Sequence, residues 1–240
     1  MKAVIFDFSG TLFRCVETRS WLASTLTHAG IEATEDQIAY YAARLHDSGG
    51  QPGGHSGAVP LPDRLRPLWE RRDLDPPAHR AVYTELMRLA GLPWPGFEDL
   101  LYEQHWRPDM WVPYPDTRRV LESLRRRRIP VAVLSNIPRD VRPIFRFHGL
   151  DQFVAAYVLS YAEGVQKPDP KIFRRACELL GHDPADVLMI GDDVAADGAA
   201  TAIGCEFRVV AHLPVAQRPD ALLKALHGEE DVSGHSGMNW

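Results

Sequence analysis

The sequence is poor in lysine. Only four of its 27 lysine and arginine residues are lysines. They are Lys2, Lys167, Lys171 and Lys224. A reaction that needs an ammonium group therefore has few candidates, and no lysine at all occurs between residues 14 and 112.

Cysteines and long apolar runs are also scarce. Cys15, Cys177 and Cys205 form no C-x-x-C pair, which argues against a disulfide framework and a zinc site and favours a cytoplasmic protein. No stretch approaches the roughly 20 apolar residues of a membrane span. The formal net charge of −5 gives no reason to expect nucleic acid or an acidic membrane as a partner.

The sequence does contain five short apolar runs that are continuous rather than alternating. They are AVIFDF (3–8), IPVAVLSN (129–136), FVAAYVLS (153–160), DVLMIGDD (186–193) and EFRVVAH (206–212). Buried parallel strands have this pattern. Helical patterns at residues 139–147, 168–180 and 194–203 separate the last four runs, and another precedes the second run at 116–127. The alternation predicts an α/β fold with a parallel sheet and right-handed crossovers.

The interval between the first and second runs contains helical patterns but no strand pattern. The helical patterns cover residues 18–28, 35–45, 77–90 and 97–105. At 240 residues, the chain is long enough for a sheet domain that carries an insert of this size. We predict a core domain that contains the sheet over residues 1–13 and 113–227, an all-α insert over residues 14–112, and a disordered tail over residues 228–240.

Polar residues stand at the ends of three of the predicted strands. Asp7 ends the first run, Ser135 and Asn136 end the second, and Asp192 and Asp193 end the fourth. In an open α/β sheet the ligand crevice lies beyond the carboxyl ends of the strands. Any one of these acids could simply cap a helix. Because three strands end in this way, the pattern indicates a functional site.

The charges at this edge indicate a divalent cation. Asp7 and Asp192 would repel each other in a half-buried crevice, and Mg²⁺ would remove that cost while binding oxygen ligands. A bound Mg²⁺ would also let an anionic nucleophile approach a phosphate. Among the lysines, Lys167 is best placed to hold both anions, since it lies in the loop between the third strand and the next helix. Taken alone, Lys167 could equally be a surface lysine at a helix start.

Four segments together resemble the haloacid dehalogenase (HAD) superfamily, and in particular its phosphatase-type hydrolases with a helical cap between the first two motifs. The segments are DFSGTL (7–12), VLSN (133–136), GVQKPDP (164–170) and IGDDVAADGAAT (190–201). They occur in the order found in the family and cover the predicted core. The resemblance implies a Rossmann-like core, and it gives the insert the role of a cap.

The resemblance also implies roles for individual residues. Asp7 would be the nucleophile, Lys167 would neutralise its charge and that of the phosphate, and Ser135 and Asn136 would bind the phosphoryl group. Asp7, the Ser9 carbonyl and Asp192 would ligate Mg²⁺, with Asp193 reaching the ion directly or through water. Asp197 would support the loop, and main-chain N–H groups after the nucleophile would hold phosphate oxygens.

Ser9 departs from the pattern of the family, whose first motif normally reads D-x-D. The second acid protonates the leaving oxygen and later activates water, which a serine cannot do. Three explanations remain open. The protein hydrolyses a substrate with a good leaving group, or takes its proton from elsewhere; it is a relative with other chemistry, such as a 2-haloacid dehalogenase; or it binds a phosphorylated ligand with little or no turnover.

Two features of the sequence argue against the second explanation, that the protein is a relative with other chemistry. The dehalogenases of the superfamily typically lack an acid pair such as Asp192-Asp193. Phosphonate-cleaving relatives use a lysine of the cap, and the insert has none. We therefore expect an Mg²⁺-dependent phosphatase that hydrolyses the phosphate monoester of a small metabolite through an aspartyl-phosphate, as a monomer or homodimer.

Overall fold

The computed structural model describes residues 1–53 and 59–228. The predicted tail therefore lies, except for Gly228, outside the described residues. The chain divides into two compact units. The first contains residues 1–14 and the chain from residue 113 onwards, and the second contains residues 15–112. The role of a cap for the second unit stays a prediction.

The first unit is built on a parallel sheet of five strands, which confirms the predicted Rossmann-like α/β fold. Its strands are β1 (Ala3–Phe6), β4 (Val131–Ser135), β5 (Ala156–Leu159), β6 (Val187–Gly191) and β7 (Glu206–Val209). Their order across the sheet is β5-β4-β1-β6-β7. Every residue of β1, β4 and β6 is buried, as expected of central strands covered on both faces.

Helices cover both faces of this sheet. They are α6 (Thr117–Arg126), α7 (Arg142–Phe147), α8 (Ser160–Glu163), α9 (Pro170–Leu180) and α10 (Ala221–His227), with 3₁₀ turns at Asp151–Phe153, Pro184–Asp186, Asp197–Ile203 and Val215–Gln217. In α9, Ile172, Phe173 and Ala176 form an apolar stripe that packs against Ile5 and Leu134 of the sheet. Burial of this stripe fixes α9 and the loop that precedes it.

The second unit is helical, as the sequence indicated. Its helices are α1 (Thr18–Ala29), α2 (Glu35–Asp47), α3 (Arg66–Arg71), α4 (Pro76–Leu89) and α5 (Phe97–His105), with 3₁₀ turns at Asp63–Leu65 and Pro108–Met110. Helix α2 begins with a capping box between Thr34 and Gln37, which satisfies two otherwise unpaired N–H groups. Trp21 of α1 is buried and its indole N–H donates to the Leu101 carbonyl of α5 at 3.2 Å.

Two short strands were missed by the sequence pattern. They are β2 (Phe13–Cys15) and β3 (Trp111–Pro113), which form a separate two-stranded sheet. Three residues are too few to show a period, so only the partner strand defines them. Within residues 1–53 and 59–228, no helix combines the length and apolar character needed to cross a bilayer.

Candidate active site

Asp7, Ser135 and Asp192 lie at one edge of the sheet, because each stands at the carboxyl end of one of three adjacent strands. Strand β1 lies between β4 and β6, and all three run in the same direction. The Asp7 N–H continues the pairing beyond β1 by donating to the Ile190 carbonyl at 2.9 Å. Asp7 and Ser135 are 5% and 2% exposed, so both are buried at this edge.

Lys167 binds two carboxylates at the centre of the site. Its Nζ donates to Asp7 Oδ1 at 2.6 Å and to Asp197 Oδ1 at 2.5 Å. A weaker contact of 3.5 Å joins it to the Leu134 carbonyl of β4. All three charged groups are buried, so the ion pairs are shielded from solvent and the two carboxylates are held about one ammonium group.

The pKa values of these groups reflect burial and mutual charge. Burial raises the pKa of the Asp7 carboxyl well above its usual range; Lys167 opposes the rise, and Asp197 and Asp192 add to it. Burial likewise raises the pKa of Asp197 against the effect of Lys167. Burial acts to lower the pKa of Lys167, but Asp7 and Asp197 outweigh it and raise the pKa above its ordinary value. Lys167 is therefore charged across the physiological range.

Asn136 holds Lys167 in place. The Lys167 N–H donates to Asn136 Oδ1 at 2.7 Å, and Asn136 Nδ2 donates to the Lys167 carbonyl at 2.9 Å. These two bonds tie the end of β4 to the loop that carries the lysine. The Lys167 carbonyl uses one N–H of the Asn136 amide, and the second N–H can donate to a phosphate oxygen. The role of Asn136 in binding phosphate therefore stays a prediction.

Asp192 has two side-chain partners on opposite oxygens. Its Oδ1 accepts from the Thr11 hydroxyl at 3.0 Å, and its Oδ2 lies 2.6 Å from His212 Nδ1. Burial acts to raise the pKa of Asp192, but the bonds and charge of His212 and the Thr11 hydroxyl outweigh it and lower the pKa. Asp192 is thus held in its ionised form, at the edge where Asp7 lies.

The acidic cluster at this edge differs in one member from the carboxylates predicted to reach the metal, which were Asp7, Asp192 and Asp193. Carboxylate oxygens of Asp7, Asp192 and Asp197 lie within 4.8 Å of one another. Asp193, predicted to reach the metal, is exposed, and its Oδ1 accepts from the N–H groups of Ala195 and Ala196. Asp193 therefore shapes the turn, while Asp197, predicted only to support the loop, contributes its charge to the cluster.

A glycine allows Asp197 to approach the end of β6. A Cβ atom added to Gly191 would lie 2.1 Å from Asp197 Oδ2, far inside van der Waals contact. The same oxygen accepts from the Asp193 N–H at 3.0 Å. The predicted helix over residues 194–203 is instead a 3₁₀ helix over Asp197–Ile203, and Asp193 Oδ1 bonds the N–H groups of Ala195 and Ala196 in the turn before it.

The turn after Asp7 is fixed by hydrogen bonds to its peptide groups. Gly10 has φ +92°, a conformation that favours glycine, and its N–H donates to the Phe13 carbonyl at 2.7 Å. Because the C=O and N–H of a trans peptide point in opposite directions, this bond turns the Ser9 carbonyl away from Phe13. A Cβ at Gly10 would meet Asp192 Oδ2 at 2.3 Å and His212 Nδ1 at 2.4 Å.

The residues present fit a divalent cation. If all three carboxylates of the cluster are ionised, they carry more negative charge than Lys167 neutralises, and His212 beside Asp192 adds a positive charge only when it is protonated. The raised pKa of Asp7 shows that its charge is costly here, and a cation would remove that cost. Oxygen donors alone form the cluster, which is the set that Mg²⁺ prefers.

The sequence analysis missed three residues that contact this site. Thr11 and His212 bond Asp192, and Arg218 donates to the carbonyls of Gly10 and Thr11. His212 carried a usable signal, because it ends the fifth apolar run just as Asp192 and Asp193 end the fourth. Arg218 carried none, since it lies outside every motif and follows the 3₁₀ turn Val215–Gln217, remote in sequence from Asp7.

Comparison with known proteins gives a family for the chain. The family model described as haloacid dehalogenase-like hydrolase matches residues 1–204. A haloacid dehalogenase-like hydrolase domain-containing protein 3 from Mus musculus is 32% identical over 120 residues, 48% of each chain. A plasmid phosphoglycolate phosphatase from Cupriavidus necator is 32% identical over 120 residues, 47% of this chain and 52% of that protein. The chain thus spans about half the length of these curated relatives.

Solved structures share the fold. An L-2-haloacid dehalogenase from Xanthobacter autotrophicus has a TM-score of 0.62 and 24% identity, and the match covers 96% of this chain and 84% of that one. A HAD phosphatase from Thermococcus onnurineus has a TM-score of 0.52 and 22% identity, with 97% and 100% covered. At these identities the likeness concerns the fold and does not distinguish the two chemistries.

Proposed function

The chain belongs to the haloacid dehalogenase-like hydrolases, and from this premise we propose that it is a phosphatase acting on the phosphate monoester of a small metabolite. The observation that carries the proposal is the acidic cluster at this edge of the sheet, in which Asp7 and Asp197 are buried and Asp192 is half-buried. Asp7, Asp192 and Asp197 outnumber the one lysine, Lys167. Such a site would repel a phosphate unless a divalent cation were bound, so the charge balance favours metal-dependent phosphoryl transfer.

Asp7, Asp192 and the Ser9 carbonyl are the groups that would hold Mg²⁺, and Asp193 and Asp197 are the further carboxylates that would support it. When bound, the ion supplies charge stabilisation for the transferring phosphoryl group. His212 and Thr11 hold the two oxygens of Asp192 and so fix the orientation of a ligand carboxylate.

Asp7 is the proposed nucleophile. Its carboxylate attacks phosphorus and forms an aspartyl-phosphate, while the substrate oxygen leaves. Lys167, already 2.6 Å from Asp7 Oδ1, favours the ionised form of the carboxylate and can contact a phosphate oxygen at the same time. Ser135, Asn136 and the main-chain N–H of Thr11 are the proposed neutral donors to the other phosphate oxygens. Water then hydrolyses the aspartyl-phosphate and restores Asp7.

Because residue 9 is a serine, the rate of turnover depends strongly on the leaving group of the substrate. A serine hydroxyl does not ionise near neutral pH, so it can neither donate a proton as a strong acid nor accept one as a base. We propose that the natural substrate has a leaving group of low pKa, such as an anomeric or acyl phosphate. The same residue favours a second candidate, a protein that binds a phosphorylated ligand with little turnover.

A panel of substrates with Mg²⁺ tests the proposal. The panel contains sugar phosphates, nucleotides, flavin mononucleotide, acyl phosphates and 2-haloacids, and release of phosphate or halide is measured with and without a chelator. We expect Mg²⁺-dependent release of phosphate. Metal-independent release of halide would favour dehalogenase chemistry instead. Turnover of the whole panel no faster than by Asp7→Asn would leave only the ligand-binding candidate.

Restoring the missing acid should change the choice of substrate. We expect Ser9→Asp to raise kcat for alkyl phosphates, which have poor leaving groups, by about 10²-fold, within the usual range of general acid catalysis. Aryl and acyl phosphates, which need no proton, should change little. Ser9→Asn is the matched control, because it has nearly the same size and cannot ionise. An unchanged ratio of alkyl to aryl turnover would contradict a rate limited by the missing proton.

A further inference from the structure

Arg218 contacts the turn that follows Asp7, the proposed nucleophile. It lies outside residues 1–204, which the family model matches. The side chain is 1% exposed. Its Nη1 donates to the Gly10 carbonyl and, at 3.2 Å, to the Ala211 carbonyl, and its Nη2 donates to the Thr11 carbonyl. The guanidinium therefore joins the turn at Gly10 and Thr11 to the residue that precedes His212.

The surroundings of Arg218 hold its charged guanidinium in one orientation. Its Cζ lies 3.2 Å from the centroid of the Tyr114 ring, in stacking contact. Tyr114 is held in turn by a hydrogen bond of 2.8 Å from its hydroxyl to the Leu213 carbonyl. Asp116 is fully buried nearby: burial raises its pKa, while the Leu223 N–H and then Arg218 act against the rise. The flat guanidinium can thus keep several bonds in fixed directions.

These bonds determine where the peptide groups of the turn point. When Arg218 holds the Gly10 carbonyl, the Thr11 N–H on the same peptide must point the opposite way. The next peptide is held at both ends, since its Thr11 carbonyl accepts from Arg218 and its Leu12 N–H donates to the Phe8 carbonyl at 3.1 Å. A cation on a carbonyl also polarises the peptide, which strengthens the N–H as a donor.

We propose that Arg218 is a positioning residue that aims and polarises the Thr11 N–H toward the phosphate and, through Ala211, holds His212 beside Asp192. The inference deepens the proposed function and rests on it, because the proposed ligand of this turn is a phosphoryl group. Arg218 touches neither substrate nor metal; it acts through the peptide groups of the turn.

The test compares Arg218→Met with Arg208→Met. Arg208 also donates to two main-chain carbonyls, those of Ala225 and Leu226, and so offers the same bonding away from the site. Binding of inorganic phosphate in the presence of Mg²⁺ is measured by calorimetry, with the melting temperature recorded for each variant. We expect Arg218→Met to weaken phosphate binding about tenfold to a hundredfold, as misplaced contacts do. Arg208→Met should bind phosphate as the native chain does.

Chemical rescue separates positioning from folding. In Arg218→Ala, added guanidinium at low concentration should restore part of the phosphate affinity, and it should not affect Arg208→Ala. Arg218→Lys keeps the positive charge but not the several directed N–H donors of the guanidinium, so its phosphate affinity should lie between those of the native chain and Arg218→Met. If Arg218→Met does not fold, the phosphate affinity of Arg218→Lys tests the positioning role.

The outcomes distinguish this inference from the proposed function, because phosphate binding needs no turnover. A native chain that binds phosphate but hydrolyses nothing in the panel would contradict the phosphatase proposal. The role of Arg218 in phosphate binding could then still be tested. Native phosphate affinity in folded Arg218→Met or Arg218→Lys would overturn the positioning role, as would equal losses in Arg218→Met and Arg208→Met. Failure of the native chain to bind phosphate would overturn it too.

Discussion

Replacing Asp7 by asparagine is expected to lower kcat for the best substrate of the panel by about 10⁴-fold or more, the scale of losing a nucleophile. The amide is a poor nucleophile, and the other two carboxylates of the cluster are already held by other side chains, Asp197 by Lys167 and Asp192 by Thr11 and His212. The measurement is steady-state release of phosphate, together with a search for the phosphorylated protein by mass spectrometry, which should detect it only in the native chain.

The same substitution should leave the fold intact, because Lys167 keeps its ion pair with Asp197 when residue 7 is neutral. Burial raises the pKa of Asp7 above its ordinary value of 3.8, so the native state binds a proton more tightly than the unfolded chain. The charge therefore costs stability as pH rises from about 4 toward the raised value, and asparagine removes that cost. In metal-free buffer near neutral pH, Asp7→Asn should melt at the native temperature or above it.

The matched control for Asp7→Asn is Asp186→Asn. Asp186 also pairs with a lysine, Lys2, at 2.8 Å, but at the surface. This control should keep native kcat, because Asp186 lies outside the acidic cluster, and it should melt close to the native temperature, because exposed ion pairs contribute little to stability. An Asp7→Asn protein that melts normally and retains more than about 1% of native turnover would contradict a covalent role for Asp7.

The sheet and its polar edge could be predicted because both depend on local sequence. A strand that is buried on both faces must be apolar throughout, so the runs that contain Ile5, Val133 and Ile190 stand out from the chain. The parallel arrangement then brings their carboxyl ends together, which is why Asp7, Ser135 and Asp192 were found at one edge.

The partners within the site could not be predicted, because they depend on how loops return to this edge. The choice between Asp193 and Asp197 depends on a turn in which Asp193 bonds the N–H groups of Ala195 and Ala196. The approach of Asp197 depends in turn on the missing Cβ of Gly191. Neither fact appears as a period or a spacing in the sequence.

Replacing Lys167 by methionine is expected to have the largest effect on stability. Methionine keeps the length of the side chain but leaves Asp7 and Asp197 buried without their ammonium partner. Removal of one member of a buried ion pair typically costs about 3–5 kcal/mol, and we expect a loss of that size in the free energy of unfolding in metal-free buffer. Denaturant titration measures it, and Lys224→Met, which removes an exposed ion pair with Asp220, is the control.

The loss should depend on pH with a definite sign. Without Lys167, the carboxyls of Asp7 and Asp197 keep the burial that raises their pKa and lose the charge that opposes it. The folded variant then binds more protons than the unfolded chain, so its stability falls as pH rises. The deficit relative to the native chain should be smaller at about pH 5 than at about pH 8. A deficit that is independent of pH would indicate lost packing instead of unpaired charge.

A second substitution separates the structural role of Lys167 from its chemical role. In Lys167→Met with Asp197→Asn, one of the two uncompensated charges is gone, so part of the lost stability should return. Turnover should not return, because Asp7 still lacks the ammonium that favours its ionised form and that would contact the phosphate. Full recovery of kcat in the double variant would mean that Lys167 serves only to hold Asp197, and that the nucleophile needs no cation from the chain.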